Sequence, residues 1–218
     1  MTTPTPYPPA DRYKHTSTPS LLTAAQTAQS PIAWLKADHD RLFHLMDTFF
    51  ILPATSHAHR EALVDELVRS TSKHASAEER VIYPLIRDRL PNGGIVYERN
   101  VSDDQINKEY LSLLHKMRSE RDGDLFDRSV DKFRMIEREH LSIEEEFLDQ
   151  LDALLSAEER PSVYKALIAA WENAPVYPHP DTGPSRAPFA NVVHPVAGLV
   201  DKAYDYVRGG RPAEKLED

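Results

Sequence analysis

His74-Ala-Ser-Ala-Glu78 and His140-Leu-Ser-Ile-Glu144 decide how this chain is read. Each puts an imidazole and a carboxylate four residues apart inside a strongly helical stretch. On a helix that spacing stacks the two side chains one turn apart on a single face. In both segments that face is otherwise apolar. A buried carboxylate without a partner is expensive, and no Lys or Arg shares these faces. Two such pairs aimed at one core therefore point to a cation held inside a helical bundle. About one His-x-x-x-Glu pair is expected by chance at average composition. His57…Glu61 reads as that chance pair, because it lies off the apolar arc and about 25 Å along the helix from His74.

Working outward, the pattern predicts four long amphipathic helices joined by short loops, an all-α antiparallel up-down four-helix bundle. Ser30-Pro31 is a cap followed by a first-turn proline, and the first helix runs to about Ile51, before Pro53. Its inward face carries Ile32, Leu35, Leu42, Phe43, Met46 and Phe50. A second helix extends from about His57 to Leu90, kinked at Pro84, with Leu63, Leu67, Thr71, Val81 and Leu85 inward. Pro91-Asn92-Gly93-Gly94 is read as a stop. The third helix is placed at about Asp103–Glu120 with Ile106, Tyr110, Leu113, Leu114 and Met117 inward. Asp122-Gly123-Asp124 is read as the turn, and the fourth helix as about Leu125–Ser156, with Phe133, Ile136, Ile143, Phe147, Leu151 and Leu154 inward. Three regions follow: an extended or disordered arm over 1–29, the bundle over 30–156, and a segment over 157–218. The last holds a short helix, a Pro-rich stretch and a C-terminal helix packing on the bundle.

Composition narrows the function classes. The 218 residues carry a net charge of -9, which argues against general binding to nucleic acid or an anionic membrane. With no cysteine, thiolate zinc sites, iron–sulfur clusters and cysteine nucleophiles are excluded, so any metal is held by nitrogen and oxygen. No apolar run has the length of a membrane span, and the first residues lack the basic-then-apolar layout of a signal peptide. A cytoplasmic location is the resulting expectation.

His39 lies on the inward face of the first helix, 35 residues before His74, so a helical hairpin brings the two to similar heights. Counting back 33 residues from His140 reaches Asn107. The chain thus reads as two similar hairpins, each with a site position on its first helix and His-x-x-x-Glu on its second.

This order resembles the hemerythrin-like family, the HHE cation-binding domain. Leu35-Lys-Ala-Asp-His39 is similar to its first-helix motif, and His74-Ala-Ser-Ala-Glu78-Glu-Arg-Val-Ile-Tyr-Pro84-Leu to its second. Glu139-His140-Leu-Ser-Ile-Glu144-Glu is similar to its fourth. The likeness covers roughly residues 31–155, and the tail around His179 and Pro195 is similar to tails of actinobacterial members. The resemblance implies two non-haem irons: His39 and His74 on one, His140 on the other, with Glu78 and Glu144 bridging. The third helix of the family supplies histidine to the second iron, where this chain has Asn107 and, one turn on, Leu111. An amide oxygen is a weak iron ligand beside imidazole. Three outcomes stay open: two irons with one loosely held, a single metal, or a compensating ligand among Tyr110, Asp103 and Glu109. The implied function is binding or sensing of dioxygen, another small oxidant, or iron. The alternatives are a peroxide-decomposing di-iron enzyme and a metal-depleted structural or interaction protein.

Overall fold

The computed structural model describes residues 23, 24 and 26–180. The arm before residue 23 and the C-terminal helix expected over 196–207 lie outside the described residues. Helix α1 spans Pro31–Ile51. Ser30 caps it by accepting the Ala33 N–H, and Pro31 fills the first turn, where a missing N–H loses nothing. Helix α2 spans His57–Ala77 and continues without a break through a π-helical turn, Glu78–Ile82, into α3, Tyr83–Arg89. Helix α4 spans Gly93–Lys116, α5 Ser119–Leu154 and α6 Glu159–Glu172. The α1 helix packs on α2 and α5, and α4 packs on both arms of the second helix and on α5. This closes the four-membered ring of an all-α bundle. The α6 helix lies outside the ring against α1 and α2, where Trp171 meets Trp34 edge to face at 5.8 Å. No helix among the described residues is long and apolar enough to cross a membrane.

Pro84 acts differently from a simple kink. It cannot donate to the Arg80 carbonyl, and its ring crowds that group. The chain widens just upstream, so that the Tyr83 N–H reaches back five residues to the Glu78 carbonyl. The extra residue rotates everything beyond it. Hence Ile82, Tyr83 and Ile86 are fully buried, while Val81 and Leu85, expected inward, are only partly covered.

Two further boundaries move. Pro91-Asn92-Gly93-Gly94 does not open a long gap between the helices. Asn92 adopts the left-handed conformation (φ 57°) and α4 starts at once on Gly93. A Cβ on Gly93 would stand 2.2 Å from the Ile86 carbonyl oxygen, so only glycine fits that approach, whereas Gly94 faces open space. At the other end of α4 the chain turns at Met117–Arg118. The expected turn survives as a break inside α5 at Gly123 (φ 49°, ψ -125°).

The apolar interior is divided in two. One cluster gathers Leu35, Ile82, Tyr83, Ile86, Tyr97, Leu148 and Leu151; the other gathers Leu42, Met46, Phe49, Leu67, Leu111, Leu114, Phe126 and Phe133. Along every helix of the ring, the residues between these clusters are polar and buried: His39 on α1, His74 on α2 and Glu78 on the π turn, Asp104 and Asn107 on α4, Glu137, His140 and Glu144 on α5.

Gly93→Ala is expected to destabilise the protein by about 1–3 kcal/mol through overpacking against the α3 carbonyls. Gly94→Ala is expected to be neutral or mildly stabilising. Urea denaturation of the two variants beside the parent checks the contrast.

Candidate metal centre

His39, His74, Glu78 and Glu144 each offer one ligand atom, and these atoms all lie within 4.8 Å of one another. The four side chains come from α1, from α2 and the π turn that continues it, and from α5, and each residue is at most 1% exposed. His74 Nε2 stands 3.2 Å from Glu78 Oε2 and His39 Nε2 3.6 Å from Glu144 Oε2. The other Glu78 oxygen, Oε1, is 3.9 Å from His39 Nε2. The two imidazole rings sit 4.9 Å apart. Ligands about 2.1 Å from a shared ion lie roughly 3–4 Å from each other, so a small inward adjustment suffices.

The imidazoles are aimed by partners on their outer nitrogens. His74 Nδ1 donates to Asp38 Oδ2 at 2.9 Å and His39 Nδ1 to Glu145 Oε1 at 3.3 Å. Carboxylates only accept, so both rings keep Nε2 for the interior. Asp38 is itself gripped by Arg41 Nε at 2.8 Å, and Arg41 reaches on to Ser70 Oγ. Burial pushes the Asp38 carboxyl up, but Arg41 and His74 outweigh it and hold it at about 2.

These residues fit a cation. His39 Nε2, His74 Nε2, Glu78 Oε1 and Glu144 Oε2 are buried and make no hydrogen bond, a costly arrangement unless something positive completes it. Burial and the neighbouring Glu78 push the Glu144 carboxyl up to about 8, against the pull of His140 and His39. Burial would also raise Glu78, but His74 and His39 carry it well below the usual carboxylate range. His74 loses affinity for its proton through burial, yet Glu78 and Asp38 more than restore it and raise it well above an ordinary histidine.

The other expected positions are distributed differently. His140, 7% exposed, faces α4 with Nε2 3.3 Å from Asp104 Oδ1. Asn107 lies one turn further along α4 and donates from Nδ2 to Glu137 Oε2 at 2.7 Å. Asp103 is partly exposed, 3.9 Å from the outer nitrogen of His140 and 3.6 Å from Arg99. Tyr110 packs against the second apolar cluster, and Glu109 is exposed beside Gln105. His57 and Glu61 clamp the start of α5: His57 meets the Ser119 hydroxyl and Glu61 accepts the Ser119 N–H.

Five polar groups at the centre went unassigned in the sequence: Asp38, Tyr83, Asn100, Asp104 and Glu137. Glu137 had a signal, since Phe133, Glu137, His140, Glu144, Leu148 and Leu151 recur at three- and four-residue steps. Asn107 was reached by the hairpin spacing, but Asn100 and Asp104 were hidden because the apolar pattern put Ile106 and Leu113 in their place. Ile106 and Leu113, expected inward, are 44% and 47% exposed, while Asn100, Asp104 and Asn107 are buried in the stretch between Tyr97 and Leu111.

Fold and site together define a helical-bundle protein with a buried histidine–carboxylate centre. The chain belongs to the hemerythrin HHE cation-binding domain family, whose model matches residues 30–151. No curated protein and no solved structure matches it.

In the metal-free protein, folded Glu137 and Glu144 keep protons up to about 7 and about 8, which the unfolded chain releases near 4.5. Stability therefore falls as pH rises through that window. The three site histidines act in the same sense. Their raised affinities contribute stability that is complete below 6.5 and lost as pH climbs through the folded values. Melting of the metal-free protein is expected several degrees lower at pH 8 than at pH 5, and an added divalent cation should narrow the gap. Equal melting temperatures without metal would contradict the account.

Proposed function

We propose that this is a non-haem iron protein that binds dioxygen or another small oxidant at a carboxylate-bridged centre in the bundle core. The reading rests on one observation: four buried donors on three helices converge with their inward atoms unpartnered. Two imidazoles and two carboxylates, without thiolate, suit iron better than a soft ion, and zinc or manganese are the competing occupants. His39 and His74 hold the ion at this position, and Glu78 and Glu144 neutralise its charge. Iron held by these residues would supply the electrons that a small oxidant needs.

The rest of the chain excludes water and manages protons. The apolar clusters above and below the polar belt close the centre along the bundle axis. Tyr83 donates its hydroxyl to Glu78 Oε2 at 3.4 Å. Burial raises the phenol well above its ordinary pKa, and Asp104, Glu144 and Glu78 add to that, so it stays a protonated donor. Such a group can hold a small oxidant by a hydrogen bond while Glu144 takes up or returns a proton.

Purified protein reconstituted with iron(II) under argon is expected to retain metal through desalting and to develop a visible charge-transfer band on exposure to air. His74→Ala should lose most of the iron at this position, with an affinity loss of at least about 100-fold. Retention of the parent's iron by this variant would count against the assignment. Absence of iron in the parent, with melting unaffected by a chelator, would count against the reading as a whole. Tyr83→Phe is expected to keep its iron and release the bound oxidant faster, as followed by stopped-flow decay of the band.

A further inference from the structure

We propose that Asp104, rather than Asn107, is the α4 ligand of a second cation position, which His140 and the shared Glu144 complete. The inference rests on the iron reading above and concerns what this chain uses where its third helix has no histidine.

Helices α4 and α5 face each other across three polar rungs. Asn100 Nδ2 donates to Glu144 Oε1 at 3.4 Å, Asp104 Oδ1 stands 3.3 Å from His140 Nε2, and Asn107 Nδ2 donates to Glu137 Oε2 at 2.7 Å. The outer rungs are amide to carboxylate, and each turns an N–H, which cannot bind a cation, toward α5. Only the middle rung sets two donor groups against each other. Asp104 is 1% exposed and its second oxygen, Oδ2, has no hydrogen-bond partner. Asn107 Oδ1 is also unpartnered, but it is a neutral amide oxygen on the rung of Glu137, one turn from His140. Glu144 links the two positions. Its Oε2 faces His39 in the first group, and its Oε1 faces α4.

Charge supports the same conclusion. Asp104, Glu137 and Glu144 are three buried carboxylates on these rungs, and no Lys or Arg among the described residues is seen to pair with any of them. A second cation balances them at little structural change. There is also a way in. A cleft of about 180 Å³ between α4 and α5 reaches His140, with Asp103, Glu139 and Arg99 among its walls. His140 is accordingly the most exposed of the five histidine and glutamate donors. One imidazole with two carboxylates is an oxygen-rich set, suited to iron(II) or manganese(II) and weaker than the first position with its two imidazoles.

The test is an anaerobic calorimetric titration of the metal-free full-length protein with iron(II), paired with metal analysis. The parent is expected to take up two ions in separate steps. Asp104→Asn should lose the weaker step and keep the tighter one. Asp104→His should strengthen the weaker step by about tenfold or more, whereas Asn107→His, one rung away, should not. Circular dichroism and melting of the metal-free variants separate loss of a ligand from loss of fold. If Asp104→Asn does not fold, the two histidine variants decide. A parent that binds one ion overturns the proposal and leaves the first position standing. So does an Asp104→Asn variant that binds two, or a gain confined to Asn107→His. A parent that binds none overturns the iron reading itself.

Discussion

The structure depends on the electrostatic demand of Glu78 and Glu144, two fully buried carboxylates brought to the same pair of imidazoles. Isolated in an apolar interior, each would cost several kcal/mol. Together they repel, which is why one is held ionised by His74 and His39 while the other clings to its proton. A cation relieves both problems at once. The polar belt across the middle of the bundle is then understandable as a single compartment. Its contents are unfavourable apart and favourable around a positive charge.

The scaffold around this compartment is arranged to keep it rigid. The π turn at Glu78–Ile82 sits at the boundary between the belt and the first apolar cluster. It lets Glu78 face the imidazoles while Tyr83, five residues on, still reaches the same carboxylate. Glu79, buried next to Glu78, is neutralised separately by Lys108 at 2.6 Å. Asp38 and Arg41 perform the corresponding service behind His74. Nearby charges are thus satisfied by fixed side chains, and the four converging donors are left for a ligand that the chain does not itself contain.

The two halves of the belt are unequal. The half nearer α1 has two imidazoles, each at most 1% exposed. The half nearer α4 borders a solvent-facing cleft and has one imidazole among acids and amides. Solvent therefore reaches His140, the lone imidazole of that half, more readily than it reaches His39 or His74.

Much of this was legible in residue order. Ser30-Pro31, the long amphipathic periods and the two His-x-x-x-Glu pairs were enough for an all-α bundle in the hemerythrin order, with His39 at the height of His74. The α4 face was legible only in part: Asn107, Leu114 and Met117 are buried as expected, and Ile106 and Leu113 are not. Apolar periodicity assigns Ile106 and Leu113 to the core because it assumes an apolar core. Here the neighbours of α4 are Glu137, His140 and Glu144, so acid and amide side chains turn inward and the isoleucine and leucine turn out. The phase beyond Glu78 was likewise set by one extra residue in a π turn, which no local pattern announces. The sequence by itself therefore determined an all-α bundle and the hemerythrin order of its histidines and glutamates. Tertiary packing decided which face of α4 is buried and that Asp104 meets His140, because that choice is made by the charges already waiting across the interface.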